Sequence, residues 1–145
     1  MSEIIMALTM LLPTPPMTPT LGIPTPTPVV YRSEMTQLPA TGLATYYSTG
    51  VFDIVLRTRG LPADTCTSQG RKGCVAMLYE ADQGREVCTE VNGEIYGPYI
   101  VADMASDRDR PGLIDDGWKI DIQQSVWLEM GFWDAPTMVT VTEDC

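Results

Sequence analysis

The chain has 145 residues, with nine Lys and Arg against nineteen Asp and Glu, a formal charge of −10, and no histidine. That length buries a single core, and so few scattered cations cannot neutralise a phosphate backbone, which excludes nucleic acid as the partner. Without histidine the commonest general base, the Ser-His and Cys-His nucleophiles and most zinc sites are lost, so any catalysis runs on carboxylates, hydroxyls or thiols, and the residues suggest no metal or cofactor.

In chain order, Ile4 to Leu12, "IIMALTMLL", is an apolar run. Glu3 precedes it without a positive charge, and no small-residue cleavage pattern follows, so it reads as a docking arm rather than an export signal. It is too short to span a bilayer. Residues 13 to 28, "PTPPMTPTLGIPTPTP", hold seven prolines and five threonines, a composition that fixes φ, removes backbone donors and favours an extended spacer. The domain plan is an arm at 1–12, a Pro/Thr-rich linker at 13–40 and a folded domain at 41–145.

Within that domain six runs read as strands: "LATYYS", "VFDIVL", "CVAMLYE", "EVCTEV", "YIVAD" and "TMVTVT". They are rich in β-branched and aromatic residues and of strand length, and Asn92-Gly93 sits after the fourth like a hairpin turn. One helix is predicted, Ile122 to Met130, with Ile122, Val126, Trp127 and Met130 on one face and Gly131 as terminator. Six strands and one short helix suggest a small closed all-β barrel. Four cysteines, none in C-x-x-C spacing, are compatible with two bridges, Cys66 to Cys74 and Cys88 to Cys145, or with four free thiols in a reducing compartment.

The order "GLATYYSTG", "VAMLYEADQGREVCTEVNGE", "GPYIVAD", "KIDIQQSVWLEMG", "APTMVTV" resembles the double-psi β-barrel domain of the rare-lipoprotein-A and expansin group over about residues 42–143. That family opens on a Gly-x-Ala-Ser/Thr-Trp/Tyr-Tyr strand, has a later strand ending in Asp, and follows it with Ile/Val-Asp-Leu-Ser before a short helix ending in Gly. Here the last motif reads Ile120-Asp121-Ile122 and closes on Gly131. The resemblance implies action on, or binding to, a cell-wall polysaccharide such as peptidoglycan, by lytic transglycosylase-like cleavage or expansin-like loosening outside the cell. It carries the family's acids to Asp121 and Asp103 and its strand hydroxyl to Thr45.

That assignment is chemically coherent. A carboxyl flanked by Ile120 and Ile122 and close to Trp118 has its pKa raised by desolvation, and an ionised Asp103 nearby raises it further, so Asp121 can hold a proton for a glycosidic oxygen. In lytic cleavage the sugar's own hydroxyl replaces water, and one acid serves as donor and then base. The competing reading makes Asp121 the N-cap of the predicted helix, with Gln124 at the capping-box position. Trp118 and Trp133 lie beside turns and, with Tyr47, are candidate ligand-binding residues, whereas Trp127 reads as core. The alternating charges of Asp107 to Arg110 read as solvated surface. A second functional class stays open: a non-catalytic module docked through residues 1–28 onto a fibre, surface layer or virus particle.

Overall fold

The computed structural model describes Gly22, residues 34–132 and residues 135–145. The expected arm, most of the Pro/Thr linker, and Trp133 lie outside the described residues. The chain divides into two units, Met1–Val30 and Tyr31–Cys145, and every strand and helix named below belongs to the second.

Six strands close into a barrel: β1 (Ala40–Tyr47), β2 (Gly73–Met77), β3 (Glu86–Val91), β4 (Glu94–Met104), β5 (Trp118–Gln123) and β6 (Thr137–Thr142). The order around the ring is β1-β5-β2-β4-β3-β6, with β6 pairing back onto β1. β1 with β5 and β2 with β4 are parallel, and the other four pairings are antiparallel. Exchanging β1 with β4, β2 with β5 and β3 with β6 leaves this ring unchanged. The barrel is therefore two interlocked three-strand halves, the connectivity expected of a double-psi barrel.

The interior is filled by Val75, Met77, Val87, Tyr99, Val101, Ile120, Ile122, Val139 and Val141, all buried. Trp127 joins them from the helix after β5, its ring 5.6 Å from Tyr46 and 5.1 Å from Phe132, and fills the core as the sequence suggested. Every residue of β2 is buried, because its second face is covered as well. Cys74 and Ala76 on that face, with Ile100 and Ala102 of β4, pack against Phe52, Leu56 and Cys66. A strand buried on both sides loses the alternation that a half-exposed strand shows. Gly73 opens β2 because a Cβ there would lie 2.5 Å from Val126 Cγ2.

Two sequence expectations are corrected. "VFDIVL" is not a strand but the start of helix α1 (Val51–Arg59). Phe52 and Leu56 stand four apart on its buried face, Asp53 lies in its first turn, and Arg57 and Arg59 lie in its last, which suits the helix dipole. Gly60, at φ 66°, ends it: Gly60 N–H donates to Arg57 O (3.2 Å) and Leu61 N–H to Leu56 O (2.8 Å), the paired bonds of a Schellman stop. The sixth strand is instead β5, "WKIDIQ", so the predicted helix Ile122 to Met130 shortens to α3 (Gln124–Glu129). With α2 (Arg110–Asp115), three short α-helices rather than one stand among the described residues.

Both expected bridges are present: Cys66–Cys74 with α-carbons 4.8 Å apart, and Cys88–Cys145 at 5.6 Å. Just ahead of β1, Thr36 is buried against Asp82. Its N–H and hydroxyl donate to the two Asp82 oxygens at 2.9 and 2.7 Å. Arg85 pairs with Asp82 at 2.7 Å, donates to Thr36 O at 2.8 Å and reaches Glu143 at 2.6 Å.

Candidate acid pair on the outer barrel face

Strand register places four residues in one row across four neighbouring strands. Asp103 of β4 lies opposite Ala76 of β2, Ala76 opposite Asp121 of β5, and Asp121 opposite Thr45 of β1. Residues directly opposite one another share a face of the sheet, so the four side chains stand together on the outside of the barrel. Two strand spacings of about 4.8 Å separate the α-carbons of the two acids, with only the methyl of Ala76 between them.

Two bulges create this row. Between Val75 and Ala76 the β2/β4 register slips, so that β4 carries Ala102 as an extra residue and Asp103, which would otherwise point inward, meets Ala76. A second slip, between Leu43 and Ala44 of β1, makes Lys119 the extra residue of β5. Trp118 and Asp121, three residues apart, therefore share the outer face. A bulge re-aims the side chains that follow it, and here each re-aims one half of the site.

At the Asp121 end, Thr45 donates its hydroxyl to Asp121 Oδ1. Trp118 Nε1 donates to Thr45 Oγ1 at 3.0 Å and to Asp121 Oδ1 at 3.3 Å. Burial raises the Asp121 pKa from its ordinary value; the Thr45 and Trp118 hydrogen bonds oppose the rise, and the negative charge of Asp103 adds to it. Asp121 thus retains a proton to higher pH than an exposed aspartate.

At the other end, Asp103 Oδ1 forms an ion pair with Arg59 Nη2 at 2.5 Å, the side chains 16% and 30% exposed. Tyr47 donates its hydroxyl to Asp103 Oδ2 at 3.2 Å. Burial, reinforced by the charges of Asp103 and Asp121, holds the Tyr47 phenol well above its usual pKa, so it is a proton-bearing donor at any working pH. Gln83, with its amide oxygen toward α1, accepts from Arg59 Nη1 at 2.6 Å and Nη2 at 3.0 Å.

The structure thus brings Asp121, Thr45 and Trp118 into contact, and Asp103 with Tyr47, along one row. It corrects two expectations. Asp121 is no helix cap: it lies within β5, α3 begins at Gln124, and the N-cap residue Gln123 makes no side-chain capping bond. Gln124 instead accepts from Thr49 N and Oγ1 at 2.8 and 2.6 Å, tying α3 to the loop after β1. Trp118 is only 5% exposed, so its ring presents no stacking face; it acts through its indole N–H. Arg59 and Gln83 were not legible as site residues, because Arg59 ends a helix read as a strand. In the charged loop, Arg108 is solvated as expected, but Arg110 is half-buried and donates to Leu78 O and Ala105 O at 2.7 and 3.0 Å, a structural staple.

A pocket of about 220 Å3, bordered by Thr49, Phe52, Asp53, Gln123 and Gln124, lies at the end of β1 beside Tyr47 and does not include either acid. Among the described residues no group of three or more His, Cys, Asp or Glu is arranged to hold a metal ion, and no helix is long and apolar enough to cross a membrane. Such an arrangement can do proton chemistry: one carboxyl biased toward its protonated form beside a second that is ion-paired. Compared with known proteins, the chain matches no family model, no curated protein and no solved structure.

Proposed function

We propose that this barrel acts on a cell-wall glycan outside the cell, by acid–base cleavage of the lytic kind seen in the rare-lipoprotein-A group it resembles. The observation that carries the reading is the row Asp103-Ala76-Asp121-Thr45, with the proton-retaining carboxyl and the ion-paired one on the same face. Asp121, protonated, gives its proton to the glycosidic oxygen as that bond breaks. The C6 hydroxyl of the same sugar attacks the anomeric carbon, closing a 1,6-anhydro ring, and its proton returns to the Asp121 carboxylate. Water is not consumed, and the acid is restored. Asp103, ion-paired with Arg59, stabilises the positive charge that develops on the sugar ring. Two disulfides support a location in an oxidising, extracellular compartment.

The decisive experiment is incubation of the native protein with purified peptidoglycan and mass spectrometry of the released fragments. New 1,6-anhydro ends are expected. Their absence, with peptidoglycan still retained on the protein, would leave a loosening or binding role and remove the lytic step. The non-catalytic alternative is a module docked through residues 1–28 onto a larger assembly. On that reading, deleting residues 1–28 leaves a folded barrel that no longer joins the assembly.

A further inference from the structure

The two carboxylates on either side of Ala76 have four oxygens, and three already have donors. Asp103 Oδ1 is taken by Arg59, Asp103 Oδ2 by Tyr47, and Asp121 Oδ1 by both Thr45 and Trp118. No described residue donates to Asp121 Oδ2. The donors to Asp121 are a neutral hydroxyl and a neutral indole, whereas Asp103 has a guanidinium, which does not lose its charge at any accessible pH. An oxygen that accepts two hydrogen bonds has no lone pair to spare for a proton, so a proton on Asp121 sits on Oδ2.

We infer that Arg59 is the positioning residue of the acid pair: by engaging Asp103 Oδ1 beside the Tyr47 bond to Oδ2, it leaves Asp121 Oδ2 as the oxygen that carries and delivers the proton. The inference rests on the acid–base reading above and adds the residue that divides the labour. Arg59 is delivered by α1. Its helix is anchored by Phe52 and Leu56 on the outer face of β2 and β4 and stopped by the Gly60 turn, and its guanidinium has a second tether in Gln83. The ionisable groups around Asp103 are Arg59 from α1, Tyr47 from β1 and Asp121 from β5. Arg59 is the one cation among them.

The test reads which carboxyl carries the proton, independently of any glycan. A water-soluble carbodiimide adds a carboxylic acid O–H across its C=N bond, and an added amine then displaces the urea to leave an amide tag that peptide mass mapping locates. On the full chain, Asp121, with Oδ2 open, is expected to be tagged several-fold more than Asp103, whose two oxygens are engaged by Arg59 and Tyr47. Arg59→Gln should bring the two close to parity, and Arg59→Lys, which keeps the charge, should restore most of the preference. A purely structural role for Arg59 would lower the melting temperature of both variants and leave the ratio alone. An unchanged ratio in folded Arg59→Gln overturns the inference. Should that variant fail to fold, Gln83→Leu loosens the guanidinium without removing it; a partial fall in the ratio supports the inference and an unchanged ratio overturns it. Preferential tagging of Asp121 in a protein that releases no anhydro ends would discard the lytic reading and keep the role of Arg59, whereas cleavage with an unaltered ratio would do the reverse.

Discussion

Thr45 lies directly opposite Asp121 in the parallel pairing of β1 and β5, and its hydroxyl donates to Asp121 Oδ1 while accepting the Trp118 indole N–H. One short polar side chain thus orients both neighbours. Thr45→Val keeps the shape and removes the hydroxyl, and Trp118 still reaches Asp121 directly at 3.3 Å. The stability cost is expected to be about 1 kcal/mol. The Thr45 hydrogen bond is the foremost influence holding the Asp121 pKa down, so its titration, followed by carboxyl carbon NMR, should move upward. A downward movement would mean that Thr45 does not donate to Asp121.

Asp121→Asn separates chemistry from structure. The amide oxygen still accepts from Thr45 and Trp118, so the network survives, but no acidic proton remains. Loss of glycan cleavage without a fall in melting temperature is expected at neutral pH. Asp121→Ala leaves the buried Trp118 N–H with Thr45 alone and empties the site, which should cost about 1 to 3 kcal/mol. If Asp121→Asn cleaves as well as the native chain, Asp121 is not the acid.

The same carboxyl predicts a pH signature. Because the folded state raises the Asp121 pKa, folding favours its protonated form. Its contribution to stability is therefore complete below the unfolded pKa of about 3.9 and is lost as pH rises through the higher folded value. Asp121→Asn carries no such penalty, so its stability relative to the native chain should improve between acid and neutral pH. Asp103→Asn removes the negative neighbour and leaves the Arg59 cation in place, so the Asp121 midpoint should fall. A stability difference that is flat with pH would contradict the buried, proton-retaining carboxyl.

Most of the barrel was legible because its strands announce themselves locally. "EVCTEV" and "TMVTVT" occupy β3 and β6 as read, and the β-branched density that marks them is a property of the segment itself. The misreadings have tertiary causes. "VFDIVL" is equally apolar as strand or helix, and what decides is that Phe52 and Leu56 find one buried surface four residues apart, on Cys74, Ala76, Ile100 and Ala102. The end of "WKIDIQ", Ile122 and Gln123, was read as the start of the helix after it, since Ile122 fits the helical spacing of Val126 and Trp127 but is fixed by pairing with Tyr46 and Val75. The acids were found as residues, whereas their common face was not visible: it depends on the extra residues Ala102 and Lys119, and a bulge is set by the partner strand. Arg59 remained hidden for the same reason as its helix.

The two disulfides should contribute unequally. Cys66–Cys74 closes a separation of 8 residues and Cys88–Cys145 one of 57. Loop-closure entropy assigns about 2.5 kcal/mol to the first and about 4 kcal/mol to the second. Paired Cys→Ser replacements compared by urea unfolding should rank in that order. The short bridge nevertheless lies under α1, with Cys66 and Cys74 in the cluster that seats Phe52 and Leu56, so its loss should affect Arg59 and the acid pair more than the larger stability loss at the C-terminus does. Equal effects on carbodiimide tagging from both pairs would argue against that coupling.

Asp82 offers the sharpest stability prediction. Its side chain is fully buried and accepts from Thr36 N, Thr36 Oγ1, Tyr79 N and Arg85 Nη1, so four donors on three residues depend on one carboxylate. Removing one member of a buried ion pair strands the other and costs about 3 to 5 kcal/mol. Arg85 keeps Glu143 as a second partner, which places Asp82→Ala near the lower end, about 3 kcal/mol, while Glu143→Gln leaves the buried pair intact and should cost less than about 1 kcal/mol, as an exposed partner does. Amide hydrogen exchange at Thr36 should accelerate strongly in Asp82→Ala and little in Glu143→Gln, because the Thr36 N–H donates to Asp82. Equal destabilisation by the two substitutions would show that the clamp is held from the C-terminal side rather than by the buried carboxylate.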